Sequence, residues 1–194
     1  MAERLSPLAE LALPGEYGAL TATPGVTLSE DICTALVQVA CWPETLDACK
    51  VAIGKALESE IADGRSVSRA KECSIMPTGP GRWLIESDNE KLETTLRKAL
   101  KPEVASVTNL THARIRVTVK GEQADWLLAS GIALDFHINS FPVSMVQVSH
   151  HHEVGLTIHR TAEDCFELYL FTSFARSFWQ WLSDAAAEIG YRVN

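Results

Sequence analysis

A run of three histidines, His150 to His152, is the first place in this sequence where chemistry could occur. Histidine is the commonest metal ligand and a frequent general base, and the chain holds only six histidines. On a strand, His150 and His152 would point to one face and His151 to the other. A metal site on that face needs a third ligand. Glu153 or His159 could supply it only if the fold happened to bring one of them to the same face. Because strand-like segments flank the run, we favour a hairpin turn that faces solvent or a partner.

His112, in the sequence LTHAR, is a second candidate for a general base. No serine or cysteine nucleophile lies in a recognisable elbow near it, so we expect a structural histidine that is hydrogen-bonded within a sheet. The chain also lacks the Gly-rich phosphate motifs and the G-x-S-x-G and H-E-x-x-H motifs. The sequence therefore predicts no catalytic set of its own.

Two features indicate contact with a partner. Arg114, Arg116 and Lys120 share one face of a strand-like segment, and they could meet an acidic partner, bind the glutamate tail of a folate, or simply face water. Trp179 lies about 160° around a predicted helix from Trp181, which we place in the core. Because exposed tryptophans anchor interfaces, we expect Trp179 to face outward and contact a partner.

The composition excludes several classes of protein. The 194 residues carry 17 Lys and Arg against 25 Asp and Glu, a net charge of −8, which disfavours nucleic acid and anionic membranes. The five cysteines are odd in number and form no C-x-x-C pair, as expected for reduced thiols in the cytoplasm. No secretory signal and no run of about 18 apolar residues is present, so we expect a cytoplasmic protein.

Residues 1–31 are rich in proline and glycine, which predicts an extended N-terminal arm without regular structure. Leucines such as Leu5 and Leu8 would not remain in water. We therefore expect the arm to lie against its own domain or against a partner, with Leu5 and Leu8 as candidate contacts.

Residues 32–120 predict a first lobe with the order β-α-β-β-α-β, which is the ferredoxin-like pattern. Alternation and helical periodicity define its segments. These are a strand at 32–41, a helix at 44–61, strands at 72–77 and 82–86, a helix that ends before Pro102, and an extended segment at 104–120.

Residues 121–194 read as a looser copy, a second α+β lobe packed on the first. Its last helix has a predicted core stripe of Phe174, Phe178, Trp181, Leu182, Ala185 and Ile189. The predicted fold class is α+β, with two ferredoxin-like lobes of antiparallel sheet and helices packed on one face.

Several stretches together resemble the gamma subunit of heterotetrameric sarcosine oxidase. They are the SPL at residues 6–8, GPGRWLI, VTNLTHARIRVTVKGEQADWLLASGIALDFH and LYLFTSFARSFWQWLSDAAAEIG. The resemblance covers nearly the whole chain, and the order and spacing of the stretches carry it. That family is itself similar to the folate-binding domain of the glycine-cleavage T-protein, an aminomethyltransferase, which implies two related α+β lobes.

The resemblance implies a cytoplasmic oxidoreductase complex of sarcosine catabolism with alpha, beta and delta subunits as partners. The complex demethylates sarcosine oxidatively to glycine, with hydrogen peroxide and formaldehyde, or methylene-tetrahydrofolate, as the other products. FAD, FMN and NAD would belong to the alpha and beta subunits, zinc to the delta subunit, and tetrahydrofolate to a partner. The gamma subunit would carry no cofactor.

One departure from the T-protein pattern bears on catalysis. T-protein-like chains carry acidic residues in a Gly-rich hairpin, where this chain has SHHHE, and often read D-x-[ST]-H, where it has Asn109 to His112. We therefore expect a non-catalytic subunit with a role in assembly. The alternatives are a subunit of N-methylglutamate dehydrogenase, a self-contained folate-dependent aminomethyltransferase, and a metal-binding protein that uses His150 and His152.

Overall fold

The computed structural model describes residues 5–19, 23–70 and 72–194, and the chain in these ranges is an α+β protein. It divides into two compact units. The five-stranded unit comprises Cys33–Arg114 and Ser144–Gln147, and the seven-stranded unit comprises the N-terminal segment up to Ile32, Ile115–Val143 and Val148–Asn194. The predicted α+β class with antiparallel sheets is confirmed.

Four α-helices and twelve strands are present in the described ranges. The helices are α1 (Leu46–Leu57), α2 (Leu92–Ala99), α3 (Ala124–Ala129) and α4 (Ala175–Ala186), and the 3-10 turns Pro43–Thr45 and Thr172–Phe174 precede α1 and α4. The strands are β1 (Gly15–Tyr17), β2 (Val26–Asp31), β3 (Ala35–Cys41), β4 (Ser68–Arg69), β5 (Cys73–Gly79), β6 (Arg82–Ser87), β7 (Ala105–Asn109), β8 (Arg114–Lys120), β9 (Val146–His151), β10 (Val154–Ala162), β11 (Cys165–Phe171) and β12 (Tyr191–Val193). None of these helices is long and apolar enough to cross a membrane.

The five-stranded sheet has the order β4-β5-β6-β3-β7 and is antiparallel throughout. Strand β6 lies between the two strands that α1 connects, and β3 lies between the two that α2 connects, which is the split βαβ arrangement. Cys49 and Ile53 of α1 and Leu92 and Leu96 of α2 are buried against the apolar side chains of the sheet. The predicted β-α-β-β-α-β order is correct for β3 to β7.

The predicted extended segment at 104–120 is two strands that belong to different sheets. Strand β7 pairs with β3, whereas β8 pairs with β2 in the seven-stranded sheet. A turn closes between them: Leu110 donates to the Leu36 carbonyl, and Ala113 and Arg114 donate to the Leu110 carbonyl. The first unit therefore ends at Arg114, before the predicted boundary at 120.

The seven-stranded sheet has the order β1-β12-β2-β8-β11-β10-β9. Strands β8, β10, β11 and β12 with helices α3 and α4 repeat the β-α-β-β-α-β order of the other unit. The difference is β2, which lies between β12 and β8 and pairs parallel to the former and antiparallel to the latter. A strand from the N-terminal segment thus completes the sheet.

The prediction of an irregular arm over 1–31 is wrong where the structure describes it, because Val26–Asp31 is a central strand. Residues 1–4 and 20–22 of the predicted arm lie outside the described residues. Ser6 fixes the start of the described segment, since its hydroxyl donates to the Glu30 carboxylate and accepts from the Leu8 amide at 2.9 Å. The N-terminal segment is therefore part of the seven-stranded unit.

Candidate functional site

The histidine run is the tip of the β9–β10 hairpin. Strand β9 ends at His151 and β10 begins at Val154, so His152 and Glu153 make the turn. His152 has a φ of 47°, the left-handed conformation that tight hairpin turns use. His150, His152 and Glu153 are exposed. The prediction of a hairpin turn is therefore confirmed.

The middle histidine is part of the core. The His151 side chain is 7% exposed, and its Nδ1 lies 2.8 Å from the Gly131 carbonyl oxygen. Its ring stacks on Trp181 with 3.9 Å between the ring centroids and 25° between the planes. A Cβ on Gly131 would lie 2.4 Å from the Trp181 ring, so only glycine fits there. His151 is thus a structural histidine, and the described residues contain no group of three His, Cys, Asp or Glu that could hold a metal ion.

A second polar cluster, which we call the Glu167 network, crosses four adjacent strands of the seven-stranded sheet. Glu167 Oε2 lies 3.1 Å from His159 Nδ1 and accepts a hydrogen bond from the Tyr169 hydroxyl at 3.1 Å. Arg116 lies between two carboxylates, with its Nη1 3.9 Å from Glu167 Oε1 and its Nε 3.7 Å from Asp31 Oδ2. Arg116 and Glu167 are therefore compensated by side chains of the same sheet.

The electrostatics of Glu167 favour its ionised form. Burial raises the pKa of Glu167, but the hydrogen bond from His159, the charge of Arg116 and the Tyr169 hydroxyl together outweigh burial and lower the pKa below its ordinary value. A carboxylate that orients a histidine provides two of the three groups of a catalytic triad, and the third is a nucleophile. However, His159 is 1% exposed and its Nε2 has no hydrogen-bond partner among the described residues, so no nucleophile stands where a triad needs one.

Two of the cysteines, Cys49 and Cys73, are poorly suited to act as nucleophiles. None of the five cysteines forms a disulfide, as the sequence predicts. Burial, with the neighbouring Cys41 as a second cause, raises the pKa of Cys49 to about 12, and burial also raises the pKa of Cys73. A reactive cysteine needs a lowered pKa and solvent access. These two thiols stay protonated near neutral pH.

The Glu167 network predicts a pH dependence of stability. Because the folded protein lowers the pKa of Glu167, this carboxylate stabilises the fold above its unfolded pKa, near 4.5, and the contribution is lost as the pH falls through the folded pKa. We expect the unfolding free energy of Glu167→Gln to fall less than that of the wild type as the pH is lowered from neutral to acid. Urea unfolding at a series of pH values measures this dependence. Glu153→Gln, in the exposed hairpin turn, is the control and should follow the wild type. An acid limb that Glu167→Gln leaves unchanged would contradict the assignment.

The predicted outward position of Trp179 is wrong, whereas Leu8 lies against its own domain, which is one of the two positions expected for the N-terminal arm. Trp179 is 3% exposed and Leu8 is 0% exposed. The buried stripe of α4 contains Ala175, Phe178, Trp179, Leu182 and Ala186, so the helix is rotated from the predicted phase and Trp181 flanks the stripe. Leu5 is 84% exposed and stays a candidate contact.

The predicted basic strand face is only half exposed. Arg116 pairs with Asp31 and Glu167 of its own chain. Burial lowers the pKa of Arg114. Arg116 is therefore not an uncompensated cation available to an acidic partner. A partner contact at Arg114 stays a prediction.

The Asn109 to His112 segment forms the turn after β7. The Asn109 side-chain oxygen accepts from the Thr111 amide at 2.9 Å, and the Thr111 hydroxyl oxygen accepts from the Leu36 amide at 2.9 Å. His112 is exposed in this turn, so its predicted place within a sheet is wrong. Asn109 and Thr111 close the turn and join it to β3, which is a structural role.

Arg160 is a buried cation that the sequence reasoning missed. Its Nη1 donates to the carbonyls of Phe136 at 2.8 Å and Phe141 at 2.9 Å, its Nε donates to Ala162 at 3.3 Å, and its Nη2 donates to Glu163. The guanidinium lies 4.8 Å from the centre of the Phe166 ring. The available signal was the alternation along β10, because Arg160 falls in line with the apolar Val154, Leu156 and Ile158. Arg160 thus fixes the chain between α3 and β9.

The fold defines the broader class of protein to which this chain is similar. The aminomethyltransferase T of the glycine cleavage system from Bartonella henselae matches with a TM-score of 0.59 and 18% identity, over 84% of this chain and 46% of that one. This match shows a shared fold, as the resemblance in the sequence implied.

Closer matches define the family. The model of the family "Sarcosine oxidase, gamma subunit" matches residues 43–188. Sarcosine oxidase subunit gamma from Corynebacterium sp. (strain U-96) is 25% identical over 186 residues, which cover 95% of this chain and 91% of that protein. A chain of the heterotetrameric sarcosine oxidase from Corynebacterium sp. U-96, solved with pyrrole 2-carboxylate, matches with a TM-score of 0.83 and 23% identity over 96% of both chains. This chain belongs to the sarcosine oxidase gamma subunit family.

Proposed function

We propose that this chain is the gamma subunit of a heterotetrameric sarcosine oxidase and that its role there is assembly. One observation carries the proposal. The structural match between this chain and a chain of the Corynebacterium heterotetramer includes 96% of the residues of each. The match takes in nearly the whole of this chain and therefore both units of the fold, and the matched chain is part of an oxidase complex. A different architecture would have left one unit unmatched.

The side chains support an assembly role over a catalytic one. Two buried histidines have structural roles: His151 packs on Trp181, and His159 donates to a compensated carboxylate with no nucleophile at its other nitrogen among the described residues. The acidic hairpin of T-protein-like chains is replaced by a hairpin in which His151, the last residue of β9, is buried. These features favour a chain that has kept the fold of a folate-handling domain as a scaffold.

Within this proposal, the chemistry belongs to the partner subunits. Alpha and beta subunits would hold FAD, FMN and NAD, and a delta subunit would hold zinc. Tetrahydrofolate would bind to a partner subunit. The whole complex would be cytoplasmic. The purified chain alone should be colourless and should oxidise neither sarcosine nor N-methylglutamate. A yellow chain that oxidises sarcosine without partners would contradict the proposal, and tight binding of tetrahydrofolate by the chain alone would favour a self-contained aminomethyltransferase.

A further inference from the structure

Two cysteine side chains, those of Cys41 and Cys49, meet in the five-stranded unit. Cys41 is the last residue of β3, and Cys49 lies near the start of α1. Cys41 packs against the apolar cluster that contains Cys49 and the β3 residues Val37 and Val39. The two thiol groups are hydrogen-bonded to each other. The fold therefore places two sulfur atoms in contact across the layer between sheet and helix.

Hydrogen bonds hold the connection between the two cysteines. The Thr45 amide donates to the Trp42 carbonyl at 3.0 Å, and the Thr45 hydroxyl donates to the Val104 carbonyl at 2.6 Å. These bonds fix the 3-10 turn through which the chain passes from β3 into α1. A disulfide forms only between sulfurs that the backbone already holds close, so a fixed contact of this kind favours a bond between Cys41 and Cys49.

The two thiols differ in exposure, which assigns their roles. Cys49 is 0% exposed, whereas Cys41 is half-buried. Gly81 lies beside the Cys41 sulfur, and a Cβ at Gly81 would come within 3.0 Å of Sγ. Because glycine has no side chain to cover that sulfur, Cys41 is the thiol that a small oxidant meets first.

A peroxide is an oxidant that this arrangement can use. The Cys41 thiolate attacks one oxygen of hydrogen peroxide, so that an S–O bond forms, the O–O bond breaks and hydroxide leaves. Cys49 then attacks the sulfur of the resulting sulfenic acid, the S–S bond forms and the S–O bond breaks. The hydroxide of the first step takes the proton of the Cys49 thiol, and the departing sulfenic oxygen leaves as water with the proton lost by Cys41. Two thiols are oxidised, and one peroxide is reduced to two waters.

The raised pKa of Cys49 slows the second step without preventing it. Burial raises this pKa, and the charge and hydrogen bond of Cys41 raise it further. The charge of Cys41 is lost once that side chain is a neutral sulfenic acid. A thiolate of high pKa is also the stronger nucleophile, and the contact with Cys41 replaces an encounter in solution.

We propose that Cys41 and Cys49 form a redox-active thiol pair, which a peroxide oxidises to a reversible disulfide that joins β3 to α1. Cys41 is the residue that reacts with the peroxide, and Cys49 is the residue that resolves the sulfenic acid. The inference concerns this chain alone and goes beyond the proposed function, because the two thiols and the oxidant are sufficient for the reaction.

Oxidation of the purified chain by hydrogen peroxide, followed by alkylation of the remaining thiols in denaturant, tests the proposal by mass spectrometry. Three of the five cysteines should be alkylated, and dithiothreitol should restore all five. A protease that cleaves after glutamate separates residues 31–44, which hold Cys33 and Cys41, from residues 45–58, which hold Cys49. Fragmentation of the linked peptides should place the bond between Cys41 and Cys49. A bond at Cys33, or five alkylated thiols after oxidation, would overturn the proposal.

Single variants test the separate roles of the two thiols. Cys49→Ala should leave Cys41 as a sulfenic acid that dimedone labels, and Cys41→Ser should leave Cys49 unoxidised. Cys165→Ser is the control, because Cys165 is half-buried like Cys41 but belongs to the seven-stranded unit, and this variant should form the disulfide as the wild type does. Oxidation of Cys49 in Cys41→Ser, or loss of the disulfide in Cys165→Ser, would overturn the assignment.

Discussion

Trp179→Ala is expected to lower the free energy of unfolding by about 3–5 kcal/mol, the usual range for a buried tryptophan replaced by alanine. The side chain is 3% exposed in the stripe of α4 that packs on the seven-stranded unit, so truncation leaves a cavity. The measurement is urea unfolding of the purified chain, followed by far-ultraviolet circular dichroism. If Trp179 instead anchored a partner, its loss would weaken association and leave this stability unchanged.

The matched control is Trp126→Ala in α3. Trp126 is in the same unit but is 48% exposed, so its truncation should change the unfolding free energy by about 1 kcal/mol at most. Equal losses for the two variants would contradict the burial of Trp179. A larger loss at Trp126 would mean that α3, and not α4, carries the aromatic core contact.

Arg160→Ala is expected to lower the free energy of unfolding by about 3 kcal/mol or more. The guanidinium donates to four backbone carbonyls, and an unsatisfied buried acceptor costs about 1–3 kcal/mol, to which the cavity adds. Arg160→Lys keeps the charge but has too compact a head group to reach all four carbonyls, so it should lie between the wild type and alanine. Thermal and urea unfolding of the three proteins measure this order.

An exposed arginine provides the control for Arg160. Arg176 makes a surface ion pair with Glu10, 3.4 Å apart, and such pairs contribute about 0–1 kcal/mol. Arg176→Ala should therefore be close to the wild type. Comparable effects of Arg160→Ala and Arg176→Ala would show that the chain between α3 and β9 does not depend on the buried guanidinium.

Periodicity and turn chemistry were enough to predict much of the fold. The apolar run of β3, the helical spacing of Cys49 and Ile53, and the Thr78 to Gly81 turn between β5 and β6 are local signals, and each corresponds to an element that the structure contains. The β-α-β-β-α-β order follows from these elements. The tip of the histidine hairpin was predictable for the same reason.

Features that depend on tertiary packing were not predictable in this way. The α4 sequence has apolar residues on both sides of Phe178 and Leu182, so its periodicity fits a stripe through Trp179 as well as one through Trp181. The structure buries Trp179 on the same side as Ala175 and Ala186, whereas Trp181 stacks on His151. A helix pattern alone cannot choose between two such phases.

The N-terminal segment and Arg160 were missed for related reasons. Proline and glycine around β2 suggested an arm, and the parallel pairing of β2 with β12, far apart in the chain, has no local signal. The charge of Arg160 suggested solvent, but two of its four carbonyl partners, Phe136 and Phe141, come from a loop about 20 residues away. Both errors arise from long-range contacts that a single sequence does not reveal.

Purification of the tagged chain from the cells that produce it tests the assembly role most directly. Its eluate should contain larger subunits in fixed stoichiometry, show a flavin spectrum and oxidise sarcosine. Activity with N-methylglutamate instead of sarcosine would assign the chain to a different dehydrogenase complex. A single, colourless and monodisperse chain, recovered without any flavin-bearing partner, would contradict the account.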